Sequence, residues 1–168
     1  CGQWPQVIKA DGLAAGKGVF VVESAREGCG VVDTLMEERR LGDAGSHMLW
    51  LCDYMSFTKN QRYQNPGSFG PMASHTNGAI GVKAAHPDKV VVSGSGDGCY
   101  QMAGFELMTS VQYDIPVIWI IFNNGEFNVI KKFLVNMYGK HAYMQFDNPD
   151  FVAYAKACGA DGYRVEKL

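Results

Sequence analysis

Val90-Val91-Val92-Ser93-Gly94-Ser95-Gly96-Asp97-Gly98-Cys99-Tyr100 decides the fold: a β-branched run, a glycine-rich turn carrying one carboxylate, and the opening of a helix. The helix is predicted over Tyr100–Gln112, and Asp114-Ile115-Pro116 turns the chain into a buried strand, Val117–Phe122. Strand, helix and strand of these lengths form a parallel βαβ unit. At about 1.5 Å per residue the helix covers about 20 Å. At about 3.3 Å per residue the strand covers about the same distance. The chain therefore returns to the sheet rim it left, and Asn123-Asn124 is predicted to lie beside Asp97.

In a parallel sheet, ligands bind outside the carboxyl ends of the strands, where helix N-termini point free N–H groups outward. Gly96 and Gly98 let a phosphate approach the backbone closely. Asp97 would repel that phosphate unless a cation lay between them. A carboxylate among such glycines therefore suits Mg²⁺, which takes one or two carboxylates together with phosphate oxygens. The amide oxygen of Asn124 and a backbone carbonyl just after it are further hard oxygen donors. Residue chemistry alone leaves alternatives open. Gly-Asp-Gly and Asn-Asn-Gly are also ordinary turn sequences. A dinucleotide fingerprint is the weaker reading, because the third glycine is missing.

Outward from this segment, strands and helices alternate. Helices are predicted over Met48–Phe57, Asn77–Ala85, Asn128–Val135 and Asp150–Cys158, the last capped by Asp147, Asn148 or Asp150. Thr58–Pro66 reads as a polar loop, and Gly162–Val165 as the start of a further strand. N-terminal of these, Val7–Ala10 and Val19–Val22 read as a hairpin with the glycine-rich tip Asp11–Gly18. Ser24 and Glu27 form a capping box opening a helix that runs to about Arg40.

The 168 residues are 47% hydrophobic and 19% charged, a globular composition with a net charge of −2 that gives no reason to expect nucleic acid or an anionic membrane as partner. No run reaches the ~18 apolar residues of a membrane span. Five cysteines without a C-x-x-C pair argue against a disulfide framework and for the cytoplasm. The chain begins at Cys1, which reads as a fragment.

Gly96-Asp97-Gly98, followed after 24 residues by Asn123-Asn124, resembles the cofactor motif of the thiamin-diphosphate enzymes, the superfamily of acetolactate synthase, pyruvate oxidase and pyruvate decarboxylase. Asp43-Ala44-Gly45-Ser46-His47 is similar to the opening of that family's diphosphate-binding domain. Gly67-Ser68-Phe69-Gly70-Pro71-Met72 with Ala79-Ile80-Gly81 resembles its glycine-rich cofactor loop, and Phe105–Thr109 and Ile115-Pro116-Val117 also fit. The likeness covers roughly residues 43–168. It implies that Asp97 and Asn124 bind Mg²⁺ through their side chains and Glu126 through its backbone carbonyl. It further implies that Gly96, Gly98 and Cys99 hold the diphosphate, and that Met72 sits under the bend of the cofactor. Ala73 stands where the family usually has Gly, and Ser74-His75-Thr76-Asn77 replaces its Gly-Leu-Pro run. His47 and His75 are acid–base candidates. The activating glutamate belongs to a separate pyrimidine-binding domain, usually on a partner subunit, so this chain would hold half an active site on a 2-oxo acid, be inactive alone, and form a homo-oligomer in the intact enzyme.

Val7–Val19 resembles the ATP-grasp loop of phosphoribosylamine–glycine ligase, and Leu35–Gly45 continues the likeness. This resemblance implies that Lys9 and Lys17 contact ATP phosphates, although the adenine-holding and Mg²⁺-binding parts are missing. The two likenesses meet at Asp43-Ala44-Gly45, which places a junction near residues 43–48. The sequence thus predicts an α/β chain. Residues 1–45 are an ATP-grasp-like hairpin plus helix. Residues 46–168 are a C-terminally truncated, parallel-sheet thiamin-diphosphate-binding domain of a lyase or acetolactate-synthase-like transferase. The rival readings are a fragment of the ATP-dependent ligase and a phosphate-binding module without activity.

Overall fold

A computed structural model of the chain describes residues 7–9, 39–56 and 61–165. The described strands are β1 (Val7–Lys9), β2 (Arg39–Gly42), β3 (Arg62–Gln64), β4 (Val91–Gly96), β5 (Ile118–Phe122) and β6 (Gly162–Tyr163), of which β1, β4 and β5 are built on β-branched residues. Between them run the helices α1 (Ser46–Tyr54), α2 (Ser74–Ala85), α3 (Asp97–Ala103), α4 (Leu107–Gln112), α5 (Asn128–Tyr138) and α6 (Phe151–Ala157). The strands make one sheet in the order β3-β2-β4-β5-β1-β6. β3, β2, β4 and β5 are mutually parallel, and β4 pairs with β5 from Val92 opposite Ile118 to Gly96 opposite Phe122.

β5 is buried at all five positions and β4 at five of six, as strands covered on both faces must be. Leu41, Val91, Val117, Trp119 and Ile121 pack with Ala79 from α2, Tyr100 from α3, Leu107 from α4, and Phe151 and Ala155 from α6. Most of this core lies on one face of the sheet and fixes the helices there. Among the described residues, no helix is long and apolar enough to cross a membrane.

Three expectations are corrected. The helix predicted to reach Arg40 ends in a strand instead: residues 39–42 are β2, paired on both sides by β3 and β4, and tertiary pairing overrides local helix propensity. Arg62–Gln64, expected in a loop, is a strand on the sheet edge. The single helix expected over Tyr100–Gln112 breaks into α3, a 3₁₀ turn at Gly104–Glu106, and α4. A side chain at Gly104 would meet the Tyr100 ring at 2.7 Å, so that ring lies flush on bare backbone where the helix tightens. The expected parallel sheet of residues 46–168 is present: β1 is antiparallel to both β5 and β6, so β6 runs parallel to β5, and among the described strands β1 alone runs against the others. Val19–Val22, the hairpin tip and Ser24–Glu38 lie outside the described residues. The smaller differences are of one to three residues at element ends, with Asp150 taking the cap of α6 by accepting from the Val152 and Ala153 N–H groups.

Candidate active site

β2 leads on to β3 on one side of the sheet, whereas β4 leads on to β5 on the other. The chain diverges outside the carboxyl ends of β2 and β4, and such a switch point opens a crevice. Three segments leave the strands there: Asp43–His47 into α1, Asp97–Cys99 into α3, and Asn123–Phe127 into α5. Together with Met72 they enclose a cavity of about 310 Å³.

Asp97 stands at the centre of this rim, only 3% exposed. Its Oδ1 accepts the Gly98 N–H at 2.9 Å. Its Oδ2 accepts three donors: the Asn124 N–H at 3.0 Å, the Gly125 N–H at 2.6 Å and the Asn148 Nδ2 at 2.8 Å. Burial pushes the carboxyl above its ordinary pKa, and these four donors oppose that push by stabilising the charged form. Gly125 turns the loop with a φ of 65°, which brings two successive N–H groups onto one oxygen.

The neighbouring groups are held as firmly. The Glu126 carbonyl accepts the Asn128 N–H at 2.9 Å, and its carboxylate pairs with Lys131 at 2.5 Å. A side chain at Gly98 would meet the Phe127 ring at 2.7 Å and the Met72 methyl at 3.3 Å, so the helix start, Met72 and Phe127 converge on bare backbone. The Cys99 thiol donates to the Ala44 carbonyl at 3.0 Å, and burial pushes its pKa up to about 12. It is a structural thiol rather than a nucleophile.

Behind the rim lies a buried polar layer. Asp43, fully buried, accepts from the Ala44 N–H at 2.8 Å, the Thr76 N–H at 3.0 Å and the Thr76 hydroxyl at 2.6 Å. His47 stacks on Phe122 with ring centroids 5.7 Å apart, and its Nε2 accepts the Gly96 N–H at 3.1 Å. Its proton therefore sits on Nδ1, and burial lowers its pKa to about 4 against the opposing pull of Asp43.

Of the residues singled out in the sequence, the structure brings Gly96, Asp97, Gly98, Cys99, Asn124, Glu126, Met72 and His47 around one cavity. His75 is not among its lining residues; its Nδ1 lies 2.9 Å from the Ser74 hydroxyl and burial lowers its pKa. Lys9 ends β1, on the far side of β5 from β4, and Lys17 lies outside the described residues. Asn148, which the sequence offers only as a helix cap, stands at the Asp97 carboxylate. An asparagine 51 positions away, in a loop that no periodicity organises, carries no local signal of that contact. Among the described residues, no three His, Cys, Asp or Glu side chains gather as a metal cluster, so a cation here would take a mixed set of carboxylate, amide and carbonyl oxygens.

The chain is 38% identical over 126 residues to acetolactate synthase isozyme 3 large subunit of Escherichia coli (strain K12), a match covering 73% of this chain and 22% of that protein. It is 35% identical over 124 residues to mitochondrial acetolactate synthase of Schizosaccharomyces pombe, covering 73% of this chain and 18% of the relative. The chain thus spans about a fifth of the length of these curated relatives. A thiamine diphosphate-dependent 4-hydroxybenzoylformate decarboxylase from Rhodococcus jostii RHA1 shares the fold, with a TM-score of 0.72 and 23% identity over 89% of this chain and 29% of that one. Residues 2–51 match the phosphoribosylglycinamide synthetase ATP-grasp (A) domain. Residues 43–168, the greater part of the chain and all three segments that enclose the crevice, match the thiamine pyrophosphate enzyme C-terminal TPP binding domain, and the protein belongs to that family.

Proposed function

We propose that the crevice binds thiamin diphosphate through Mg²⁺, and that the chain is the diphosphate-holding part of an acetolactate-synthase-like transferase or 2-oxo-acid decarboxylating lyase. One observation carries this reading: a buried carboxylate, Asp97, stands at the carboxyl end of a central parallel strand with the Asn124 backbone 3.0 Å away, in a cavity shared with Met72. The donors fit. Asp97 and Asn124 would hold the cation with the Glu126 carbonyl, which spends only one of its two lone pairs on Asn128. Gly96, Gly98 and Cys99, at the start of α3, would face the diphosphate. Met72, packed against Gly98, would support the bend of the cofactor.

When bound, thiamin diphosphate supplies the electron sink that lets a 2-oxo acid lose carbon dioxide. The residues of this chain bind and orient. Four N–H donors orient the Asp97 carboxylate and favour its charged form against the upward push of burial, and neutral His47 fixes the Gly96 backbone without adding charge beside the cation. The residue that activates the cofactor comes, in this reading, from a pyrimidine-binding domain or partner subunit, and the intact enzyme is a homo-oligomer. Five cysteines without a C-x-x-C pair support a reducing, cytoplasmic setting.

The match of residues 2–51 to an ATP-grasp domain favours a second ligand, ATP, held by Lys9 and Lys17. Titration calorimetry with thiamin diphosphate, with and without Mg²⁺, and separately with ATP, tests both readings. Uptake of thiamin diphosphate that needs Mg²⁺ and disappears in Asp97→Ala is the expected result. Uptake of ATP alone would overturn the assignment.

A further inference from the structure

The two oxygens of Asp97 are used unequally. A carboxylate oxygen has two lone pairs. Oδ2 already takes three N–H donors, from Asn124, Gly125 and Asn148, whereas Oδ1 takes one, from Gly98. Oδ2 is therefore saturated and Oδ1 has a lone pair to spare. Two of the three donors on Oδ2 are backbone groups of the Asn123–Phe127 loop, and the third is a side chain from far along the chain.

That side chain is locked. Asn148 Nδ2 donates to Asp97 Oδ2 at 2.8 Å and to Asn123 Oδ1 at 2.5 Å, while its Oδ1 accepts from Gln101 Nε2 at 2.5 Å. A flipped amide would set its oxygen against two acceptor oxygens and its NH₂ against a donor, so only one orientation satisfies the network. Gln101 lies one turn along α3 from Asp97 and also donates to the Asp147 carbonyl at 3.3 Å. Residues 144–148 are further strapped to the metal-side loop. The Phe127 N–H donates to the Met144 carbonyl at 2.8 Å, the Phe146 N–H to the Gly125 carbonyl at 3.0 Å, and the Phe127 and Phe146 rings lie 4.7 Å apart.

We propose that Asn148, backed by Gln101, is a positioning residue that commits Asp97 Oδ2 to the protein and reserves Oδ1 for a divalent cation. The inference rests on the Mg²⁺-thiamin-diphosphate reading and adds to it the residue that sets the cation's affinity without touching the cation. Groups that orient a metal ligand in this way typically change metal affinity by about 10–100-fold when removed.

The test is calorimetric titration of the full chain with thiamin diphosphate over a series of Mg²⁺ concentrations. Asn148→Ala is expected to raise the half-saturating Mg²⁺ concentration about tenfold, with uptake recovered at excess Mg²⁺. Gln101→Ala shifts it in the same direction by less. Asp150→Ala, which removes the cap of α6 in the same loop, lowers the melting temperature and leaves the Mg²⁺ requirement unchanged. The recovery at excess Mg²⁺ is what a merely structural role would not give. An unchanged Mg²⁺ requirement in Asn148→Ala, or a loss in the folded variant that excess Mg²⁺ does not recover, overturns the proposal. Should Asn148→Ala fail to fold, an unshifted Gln101→Ala overturns it. If Asp97→Ala still takes up the cofactor as wild type does, the underlying reading fails and this inference with it. An intact dependence on Asp97 with no effect at Asn148 sinks the inference alone.

Discussion

His47, 4% exposed and stacked on Phe122, feels the charge of Asp43 and takes the Gly96 N–H as a hydrogen-bond donor. Charging the ring would bury a cation and turn its acceptor nitrogen into a donor aimed at another donor. Its pKa accordingly falls from 6.5 to about 4. Between those two values the unfolded chain binds a proton that the folded chain refuses, so stability rises with pH through this window and is lost as pH falls through it. At about 1.4 kcal/mol per pH unit the loss amounts to roughly 3 kcal/mol. Urea unfolding between pH 7 and pH 4 should show it, and His47→Gln should flatten that slope; equal slopes would mean that the ring titrates normally. At this scale the sequence was informative where spacing dictates geometry. Asp97 and Asn124 could be paired because strand and helix lengths fix where the chain returns. Asn148 could not, because a loop contact obeys no period.

The N-terminus of α2 has no side-chain cap of its own: Ala73 precedes it in a left-handed conformation, φ 70°, that costs an L-residue about 1–2 kcal/mol. Asp43 caps the helix from the end of β2, 33 residues away, by accepting the Thr76 N–H and hydroxyl. Thr76 is tied in turn to the Ser95 hydroxyl at 2.5 Å, and its carbonyl accepts from the Trp119 indole at 2.9 Å. The start of α2, and with it Met72, is thereby pinned to β2, β4 and β5 together. Thr76→Val should cost about 2 kcal/mol in denaturant unfolding, since it leaves a buried carboxylate short of a donor. Ala73→Gly should stabilise by roughly 0.5–1 kcal/mol, the relief of strain exceeding the added chain entropy. A destabilised Ala73→Gly would contradict the left-handed assignment. β4 and β5 were legible because β-branched runs bounded by glycine and proline leave few alternatives. β2 was not, because Leu35 to Arg40 carries good helix formers with one oppositely charged pair at helical spacing, and only its two partner strands make Arg39–Gly42 extended. The break at Gly104 depends on Tyr100 and on the Tyr154 hydroxyl, which donates to the Gly104 carbonyl from 50 residues away.

Across the whole molecule, the apolar surface is distributed unevenly. None of the residues of α5 is buried, and Ile130, Phe133 and Met137 stand about half exposed. Val129 and Ile130 also line the crevice, with Leu49 and Trp50 from α1 opposite. Such a rim suits coverage by another domain or subunit, in keeping with the proposal that activation of the cofactor comes from outside this chain. The chain alone, with thiamin diphosphate, Mg²⁺ and pyruvate, should therefore release no carbon dioxide above the free-cofactor rate, and turnover without an added partner would contradict that division. The most direct measurement of the central claim is anomalous diffraction from crystals grown with thiamin diphosphate and Mn²⁺ in place of Mg²⁺. One anomalous peak is expected at coordination distance, about 2.1 Å, from Asp97 Oδ1 and beside Asn124 and the Glu126 carbonyl. Bound cofactor with the metal elsewhere, or with no metal at Asp97, would contradict it.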